Sequence, residues 1–420
     1  MAEVVFWGSL LTIVYVYFGY PLLLALLAVF RQREIKKADI TPSVTILISA
    51  YNEEGIIRQK LENMLALDYP KDKLEIIVGS DGSTDRTNEI VREFADNPLH
   101  LPLRKGESQR GSSPPSQGGE DNLLSSPPCQ GGEGEGVVVV LDAAPERRGK
   151  CAVLYRCVPK ARGEIIVFSD ADAMYPPDAL RKLVRGFADE RVGCIEGVRW
   201  DTNEEGQVLE SIYWKYENVL KRLASKNRCI VGATGAIFAI RKHLYFPLNE
   251  ERGDDFELPI RIALRGYDTI YEPDAVVYHP WLPNHEEFRR ITRIVSWMLP
   301  SALMLLKESL QRGKWLVTLQ LLSHKLLRWF VPVFMMAMLV SNLLLVTGHF
   351  YRAALWMQGG FYGLALVGYL LAKARVKLRL PLLNIPYYFC LINLASLNGV
   401  MKLLLGKPVR VWRATGREAR

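Results

Sequence analysis

The two ends of the chain are apolar, whereas the middle alternates between short apolar runs and polar stretches. Residues 4–30 carry no charged side chain, and they exceed the ~20 residues that a helix needs to cross a bilayer. Because Glu3 precedes this run and the run is long, we interpret residues 1–37 as a transmembrane anchor and not as a cleaved signal peptide. Four basic residues follow the run, namely Arg31, Arg33, Lys36 and Lys37. Positive charge on this flank places it in the cytoplasm.

A second apolar region lies near the C-terminal end. Two uncharged stretches within residues 330–405 are each long enough to cross a bilayer, so this range is expected to be a transmembrane region. Residues 380–401 are a third candidate span. Their two basic flanks cannot both be cytoplasmic if they cross once, so a re-entrant or interfacial segment is the alternative. Residues 281–329 mix apolar and basic side chains and are expected to form interfacial helices, and residues 406–420 form a basic tail.

Residues 43–280 contain four short runs rich in β-branched residues, and these runs alternate with polar, helix-like stretches. Apolar runs that are continuous indicate parallel strands covered on both faces. Strands interleaved with helical patterns predict an α/β fold with a mostly parallel, Rossmann-like sheet. The four predicted strands are residues 43–49, 74–80, 137–141 and 164–169.

One segment interrupts this pattern. Residues 104–136 are rich in Gly, Ser, Pro, Gln and Glu, and they contain a direct repeat, SSPPSQGGE from Ser112 and SSPPCQGGE from Ser125. Such a composition buries too little apolar surface to order itself. We interpret the segment as a disordered surface insertion between a helix and the next strand, with a partner-binding loop as the alternative.

Charge and cysteine content exclude several kinds of protein. The chain has 53 Lys and Arg against 45 Asp and Glu, a net charge of +8. Because the apolar residues cluster at both ends, we attribute the basic excess to membrane flanks and expect no nucleic-acid partner. The six cysteines form no C-x-x-C pair, so we expect reduced thiols and neither a disulfide framework nor a zinc site.

Acidic clusters follow three of the predicted strands. They are AYNEE at residues 50–54, DGSTD at 81–85 and DAD at 170–172. Any one could be a turn with a helix cap, but ligands of open α/β sheets bind at this edge, and grouped carboxylates repel each other unless a cation is bound. Asp170 and Asp172 are therefore candidate ligands for a hard divalent cation that also binds a diphosphate. The P-loop and dinucleotide-binding motifs are absent from the sequence.

Together with Gly149-Lys150, GATGA at 232–236 and GDDFEL at 253–258, these motifs resemble those of family-two inverting glycosyltransferases with a GT-A fold. Within that family the chain is similar to bacterial membrane-integrated synthases of the cellulose, hyaluronan and poly-N-acetylglucosamine type. The resemblance implies a GT-A nucleotide-sugar-binding domain over residues 43–280, flanked by transmembrane helices. It also implies transfer of a hexosyl or N-acetylhexosaminyl group from an NDP-sugar, with a UDP-sugar expected, to a polysaccharide acceptor.

The resemblance further implies roles for individual residues. The donor is expected to contact four residues, Tyr51, Glu53, Asp81 and Lys150, although a surface role is the alternative for Lys150. Asp170 and Asp172 would hold Mg²⁺ or Mn²⁺ on the diphosphate. Gly235 would help to shape the acceptor pocket. Asp254 and Asp255 match an acidic motif whose second acid is the general base, so Asp255 is the expected base and Asp254 a substrate-binding neighbour.

One motif departs from the family pattern. Processive members carry Q-x-x-R-W, but here Arg290 replaces the Gln, Arg293 is kept and Ile294 replaces the Trp. The two arginines are still expected to bind the diphosphate. Loss of the Trp leaves open non-processive transfer to a lipid carrier. An inactive nucleotide-sugar-binding membrane scaffold is a further alternative, against which the retention of every expected acid argues. The expected location is the plasma membrane, with several spans and a cytoplasmic catalytic domain; the need for a partner subunit is left open.

Overall fold

The computed structural model describes most of the chain, and all structural statements concern the described residues. These are residues 1–30, 34–96, 136–203, 205–208, 212–248, 253–281, 283–374, 376 and 380–407. The expected repeat insertion at 104–136 lies outside them, apart from Gly136. So does the basic tail from residue 408 onward.

A seven-stranded sheet of order β3-β2-β1-β4-β6-β5-β7 forms the centre of the catalytic domain. The strands are β1 (Val44–Ala50), β2 (Leu74–Ser80), β3 (Val138–Ala143), β4 (Ile165–Asp170), β5 (Val192–Thr202), β6 (Phe238–Arg241) and β7 (Asp268–Pro280). Strands β3, β2, β1 and β4 are mutually parallel, β5 and β7 pair in parallel, and β6 is antiparallel to both of its neighbours. The mostly parallel α/β fold is confirmed, and β5 to β7 are strands that the sequence analysis did not identify.

Helices lie on both faces of this sheet and at both ends of the chain. They are α1 (Ala2–Val14), α2 (Tyr20–Phe30), α3 (Ile57–Leu65), α4 (Thr87–Asp96), α5 (Lys150–Cys157), α6 (Ala179–Val184), α7 (Ile212–Lys226), α8 (Asp254–Leu264), α9 (Asn284–Gln311), α10 (Trp315–Gln320), α11 (Leu327–Leu344), α12 (His349–Lys373) and α13 (Pro381–Leu404). Short π-helical turns join α1 to α2 and α10 to α11.

The strand β1 shows why its sequence is continuously apolar. Ile46 and Ile48 belong to a buried cluster with side chains of α3, α4 and α6. Leu47, between them, belongs to a second cluster with side chains of α5 and α8. Successive side chains of a strand point to opposite faces, so a strand covered on both faces presents apolar residues to both sides. The sheet is thereby held rigidly at the edge where its parallel strands end.

Four helical segments among the described residues are long and apolar enough to cross a membrane. They are Ala2–Phe30, Trp315–Leu344, His349–Lys373 and Pro381–Leu404. This distribution, one segment before the catalytic domain and three after it, is that of a membrane protein.

One expected boundary lies inside a helix. Interfacial helices are expected up to residue 329 and membrane spans from residue 330, and both residues belong to Trp315–Leu344, a single helical segment. Polar residues that prompted the division face protein: Arg328 forms an ion pair with Glu217 of α7, and His324 Nε2 lies 3.4 Å from a Glu217 oxygen. Buried polar groups paired in this way carry no information about which part of a helix lies at the membrane surface.

Candidate active site

The loops that follow β1 and β2 are joined by hydrogen bonds at the sheet edge. Asn52 has a positive φ of 53°, and its side-chain oxygen accepts a hydrogen bond from the backbone N of Thr84 at 2.8 Å. The backbone N of Glu53 donates to Thr87 Oγ1, also at 2.8 Å. The AYNEE and DGSTD motifs therefore form one preformed wall, which contains the expected donor-binding residues Tyr51 and Glu53.

Asp81 fixes the segment that carries Lys150. Its carboxylate is 6 % exposed and accepts hydrogen bonds from the backbone N atoms of Arg148 and Gly149, each at 2.8 Å. Helix α5 begins at the next residue, Lys150. The buried acid of the DGSTD motif thus determines where α5 starts and, through it, where the Lys150 side chain enters the site.

Close packing of these loops explains the glycine of DGSTD. Gly82 has a φ of +71°, and a Cβ at this position would lie 2.7 Å from the backbone N of Arg147. Only glycine is compatible with both conditions. The Arg147 guanidinium lies 3.6 Å from the centre of the Tyr51 ring, a cation–π contact. Tyr51 is therefore held against the segment that leads to Lys150.

A candidate metal centre lies where β4 and β7 end. One donor atom each of Asp170, Asp172 and His279 lies within 4.8 Å of the others, and His279 Nε2 is 3.1 Å from Asp172 Oδ1. The two strand ends are brought together because Met174 and Tyr278 exchange two backbone hydrogen bonds, each of 2.8 Å. The D-x-D pair expected from the sequence thus acquires a third candidate ligand.

The chemistry of these three groups fits a divalent cation. His279 Nδ1 lies 2.9 Å from the Pro280 carbonyl oxygen. With Nδ1 held there, Nε2 is the ring nitrogen that faces Asp172, and a metal would bind it in place of a proton. Burial acts to raise the pKa of Asp172, but the hydrogen bond and charge of His279 and the charge of Arg199 outweigh burial and lower it. Two carboxylates and one imidazole nitrogen are therefore available as ligands.

His279 was missed by the sequence analysis because more than a hundred residues separate it from Asp172. Motif spacing detects ligands that are local in sequence, whereas here a strand pairing brings them together. One signal was available. His279 follows the apolar run at residues 275–278, so it holds the same position after a buried strand as the acidic clusters do.

Lys150 lies at the centre of the acidic residues. Its Nζ is 3.2 Å from Asp170 Oδ1 and 3.4 Å from Asp254 Oδ2. Burial acts to lower the pKa of Lys150, but the charges of Asp170, Asp254 and Asp255 outweigh burial and raise it. A permanently charged ammonium that bridges the metal centre and α8 is suited to binding a diphosphate, so its position favours the site over the surface alternative.

The GATGA loop lies against both the candidate metal centre and the start of α8. A Cβ at Gly235 would lie 3.1 Å from Lys150 Nζ and 3.4 Å from each Asp170 carboxylate oxygen. The backbone N of Ala233 donates a 2.6 Å hydrogen bond to the Asp255 carbonyl oxygen. The loop therefore touches both halves of the site, and a side chain at residue 235 would press on the first half.

The two acids at the start of α8 have different surroundings. Asp254 is buried and paired with Lys150, whereas Asp255 is half-buried. Burial and the neighbouring charge of Asp254 raise the pKa of Asp255 to about 7, against the charge of Lys150. A carboxyl group with a pKa near neutrality can accept a proton during a reaction. Glu257, the remaining acid of this turn, is fully buried and paired with Arg261 at 3.0 Å.

Arg290 and Arg293, the two arginines of α9 that the motif comparison singled out, also differ in their surroundings. Arg290 donates two hydrogen bonds of 2.8 Å to the carboxylate of Glu287. Arg293 forms no ion pair with any residue that the structure describes. Burial and the charge of Arg290 lower the pKa of Arg293 to about 10, while Asp255 and Asp170 act to raise it. Arg293 is therefore the arginine whose guanidinium is close to Asp255 and Asp170 and available for a ligand.

Two family profiles match most of the catalytic domain. A profile described as glycosyl transferase family 2 matches residues 45–113, and one described as glycosyltransferase like family 2 matches residues 130–294. Together they include Tyr51, the D-x-D pair, Asp255 and His279. Their combined length exceeds half of the chain.

Three curated relatives illustrate the range of the family. The probable glycosyltransferase YdaM of Bacillus subtilis is 29 % identical over 247 residues, which are 56 % of this chain and 50 % of YdaM. A beta-monoglucosyldiacylglycerol synthase of Synechocystis is 25 % identical, over 53 % of this chain and 40 % of the relative. A poly-beta-1,6-N-acetyl-D-glucosamine synthase of Staphylococcus aureus is 24 % identical, over 58 % and 52 %. The chain spans about half the length of these relatives.

One solved structure resembles the chain over nearly its full length. The mannosyltransferase PcManGT of Pyrobaculum calidifontis, solved with GDP-Man and Mn²⁺, superposes with a TM-score of 0.65 and 22 % identity, over 97 % of this chain and all of that one. At this identity the likeness establishes the fold alone. With the two profile matches and the curated relatives, it shows that the chain belongs to the family-2 glycosyltransferases and has their GT-A fold.

Proposed function

We propose that this protein transfers a sugar from an NDP-sugar, with a UDP-sugar expected, to an acceptor hydroxyl with inversion at the anomeric carbon. The observation that carries the proposal is that Lys150 connects two acidic groups, the candidate metal centre and the acids at the start of α8. Asp170, Asp172, His279 and Lys150 form one centre, and Asp255 lies in the other. An inverting displacement needs these two groups on opposite sides of the reacting carbon.

On the donor side, the chain binds the nucleotide and neutralises the leaving diphosphate. Tyr51, Glu53 and the Asp81-anchored segment form the wall proposed for the nucleoside. Lys150 and Arg293 supply positive charge for the diphosphate through charge-assisted hydrogen bonds. Because Asp81 is already occupied by two backbone N–H groups, we assign to it the anchoring of Lys150 as its main contribution.

Asp170, Asp172 and His279 would hold a divalent cation, which supplies Lewis-acid neutralisation of the diphosphate charge. Mg²⁺ is a hard cation that prefers an octahedron of oxygen ligands. A site with an imidazole nitrogen fits Mn²⁺ better, and the solved neighbour PcManGT contains Mn²⁺. We therefore propose Mn²⁺ as the preferred ion of this chain.

On the acceptor side, Asp255 removes the proton from the attacking hydroxyl. Its carboxylate is separate from the proposed metal ligands, and its raised pKa makes it a stronger base than an ordinary aspartate. Asp254 keeps Lys150 in place by their ion pair. The proton passes from the hydroxyl to an Asp255 oxygen as the new glycosidic bond forms and the bond to the diphosphate breaks.

The proposed acceptor is a growing polysaccharide, as the name of the Staphylococcus relative suggests. A membrane lipid is the second candidate. The observation that favours it is Ile294, which stands where processive members have a Trp, so an aromatic surface for stacking a sugar chain is missing at that position. The Synechocystis relative is named as a synthase of a glycolipid.

We further propose that the catalytic domain is cytoplasmic in a multi-pass plasma-membrane protein, because basic residues follow the first apolar helix. A cysteine introduced at the exposed Glu62 should resist a membrane-impermeant maleimide in intact cells and react after permeabilisation. Labelling in intact cells would reverse this orientation.

The activity is tested with the full chain purified in detergent and supplied with Mn²⁺. A panel of UDP- and GDP-sugars is offered with lipid extracts or oligosaccharides as acceptors, and the products are identified by mass spectrometry. We expect transfer from one donor, with release of NDP. Donor binding without turnover of any sugar would instead identify a membrane scaffold. Single-sugar lipid products would favour the lipid acceptor over the polymer.

A further inference from the structure

Lys60 is a buried lysine directly behind the candidate metal centre. It lies on α3, and its side chain is fully buried, with 0 % exposure. Its ammonium donates a 2.8 Å hydrogen bond to Ser169 Oγ and a second one to the carbonyl oxygen of Ala173. Neither residue is a proposed ligand, so Lys60 belongs to none of the roles described above.

The two acceptors of Lys60 lie on either side of the D-x-D pair. Ser169 immediately precedes Asp170, and Ala173 immediately follows Asp172. One ammonium group therefore cross-links the two ends of the turn that carries both carboxylates. Such a cross-link restricts the turn to one conformation.

The network of Lys60 reaches the GATGA loop as well. Lys60 Nζ lies 4.5 Å from the centre of the Tyr175 ring, and the Tyr175 hydroxyl donates a 3.1 Å hydrogen bond to the carbonyl oxygen of Ala236. Ser169 Oγ is 3.4 Å from the same carbonyl oxygen. Lys60 is thus connected through Tyr175 and Ser169 to Ala236. The neighbour of Ala236 in the loop, Gly235, faces Asp170.

Burial of the Lys60 ammonium is not explained by a contribution to folding stability. Within the described part of the chain, no carboxylate lies within ion-pair distance of its ammonium. Burial lowers the pKa of Lys60 to about 7, and the charges of Asp170 and Asp172 act against burial. Apolar residues commonly replace buried charges without loss of stability. A role towards the two acids accounts for a lysine here, and simple packing does not.

We propose that Lys60 is a positioning residue of the metal centre, which holds the turn from Asp170 to Asp172 so that both carboxylates face His279 before a cation binds. The proposal rests on the divalent-cation site of the proposed function. It predicts that Lys60 acts on metal affinity without touching metal, donor or acceptor, as residues that orient metal ligands do.

The test is the affinity for Mn²⁺ in the presence of UDP or GDP without a sugar, so that no turnover is needed. Free Mn²⁺ is measured by electron paramagnetic resonance for the full chain in detergent. Lys60→Met keeps the length of the side chain and removes both hydrogen bonds. We expect its Mn²⁺ dissociation constant to rise by ~10–100-fold, the usual loss for a residue that orients a ligand. Ser169→Ala, which removes one of the two bonds, should give a smaller rise.

Asn63 offers a matched control on the same helix. Its side-chain amide exchanges two 2.8 Å hydrogen bonds with the backbone of Tyr175, beyond the D-x-D turn. Asn63→Ala should lower the melting temperature of the protein and leave the Mn²⁺ dissociation constant within about twofold, because the bonds that it loses do not hold the turn.

The outcomes are distinct. Folded Lys60→Met with unchanged Mn²⁺ affinity would overturn the proposal, and so would tighter binding, which would show that charge repulsion outweighs positioning. If Lys60→Met fails to fold, unchanged affinity in Ser169→Ala overturns it. If the wild-type protein binds no Mn²⁺, and its Mn²⁺ affinity cannot be distinguished from that of Asp172→Asn, the metal centre itself is refuted and not only the role of Lys60.

Discussion

Two aspartates of this site, Asp172 and Asp255, have the same side chain and opposite pKa shifts. Burial acts to raise the pKa in both. At Asp172 a hydrogen bond from His279 and nearby positive charges outweigh burial. At Asp255 burial is reinforced by the charge of Asp254, and the pKa rises to about 7. When two environments shift the pKa values of two acids in opposite directions, one acid stays ionised and the other can act as a proton acceptor in the same site.

The supports of the two acids differ as well. Asp172 lies in a turn held by the end of β4, by the backbone pairing of Met174 with Tyr278 and by Lys60. Asp255 lies at the start of α8, between the GATGA loop and α9. The first environment is built from the sheet, and the second from helices that also contact the membrane segments. The comparison indicates that donor chemistry is fixed by the sheet, whereas the acceptor side is formed with the membrane-associated part.

Replacing Asp255 gives the largest expected effect. Asp255→Asn removes the base but keeps the shape of the residue, so transfer should fall by ~10²–10⁴-fold, the usual contribution of a positioned base. Donor affinity should stay almost unchanged, because the lost interaction is made in the transition state. Turnover and the donor dissociation constant are measured on the same protein. A loss of donor affinity as large as that of Asp172→Asn would place Asp255 in the metal centre and refute the different roles assigned to the two aspartates.

Replacing a metal ligand should act on binding. In Asp172→Asn and in His279→Ala, we expect the Mn²⁺ concentration for half-maximal transfer to rise at least as much as the ~10–100-fold typical of residues that support a ligand. Excess Mn²⁺ should partly restore the rate, whereas it should not rescue Asp255→Asn. The check is a Mn²⁺ titration of all three variants at fixed donor. A normal Mn²⁺ requirement in His279→Ala would remove the histidine from the metal centre.

The pH dependence of transfer should follow Asp255. Below its pKa of about 7 the carboxyl is protonated and cannot accept the hydroxyl proton, so kcat should fall about tenfold for each pH unit below that value. Asp172, whose pKa is lowered, stays ionised over this range. The measurement is kcat from about pH 5.5 to 8.5 at saturating Mn²⁺ and donor. The residual rate of Asp255→Asn is the control, and an inflection near pH 7 that persists in it would assign the titration to another group.

Adding one methyl group at the boundary between the two halves should have the smallest effect. In Gly235→Ala the new Cβ lies 3.1 Å from Lys150 Nζ, so the ammonium must shift by a few tenths of an ångström. We expect the donor KM to rise by roughly threefold to tenfold, since displacements in a site near 1 Å cost up to ~10²-fold. Gly55→Ala, with no atom within 4 Å of the new Cβ, is the matched control. Equal KM values in the two variants would show that Lys150 does not bind the donor.

The sequence by itself determined four of the strands that carry the site. Mainly apolar runs identified β1 to β4, because a strand covered on both faces presents apolar residues to both sides. Acidic clusters after three of these runs had to meet at one edge, since parallel neighbours end on the same side of a sheet. The D-x-D pair and Asp255 also stood in motifs whose residues are adjacent along the chain.

Only the tertiary structure decided which distant residues complete the site. His279 joins Asp170 and Asp172 through a pairing between β7 and the turn after β4. Lys60 reads as a surface residue in the polar pattern of α3, yet it is buried behind the same turn. The sequence left a surface role open for Lys150, and its place in the site depends on Asp81, which fixes the start of α5. Hydropathy and motif spacing report local order along the chain, whereas ligand sets and pKa shifts depend on distances that arise only when separate elements pack together.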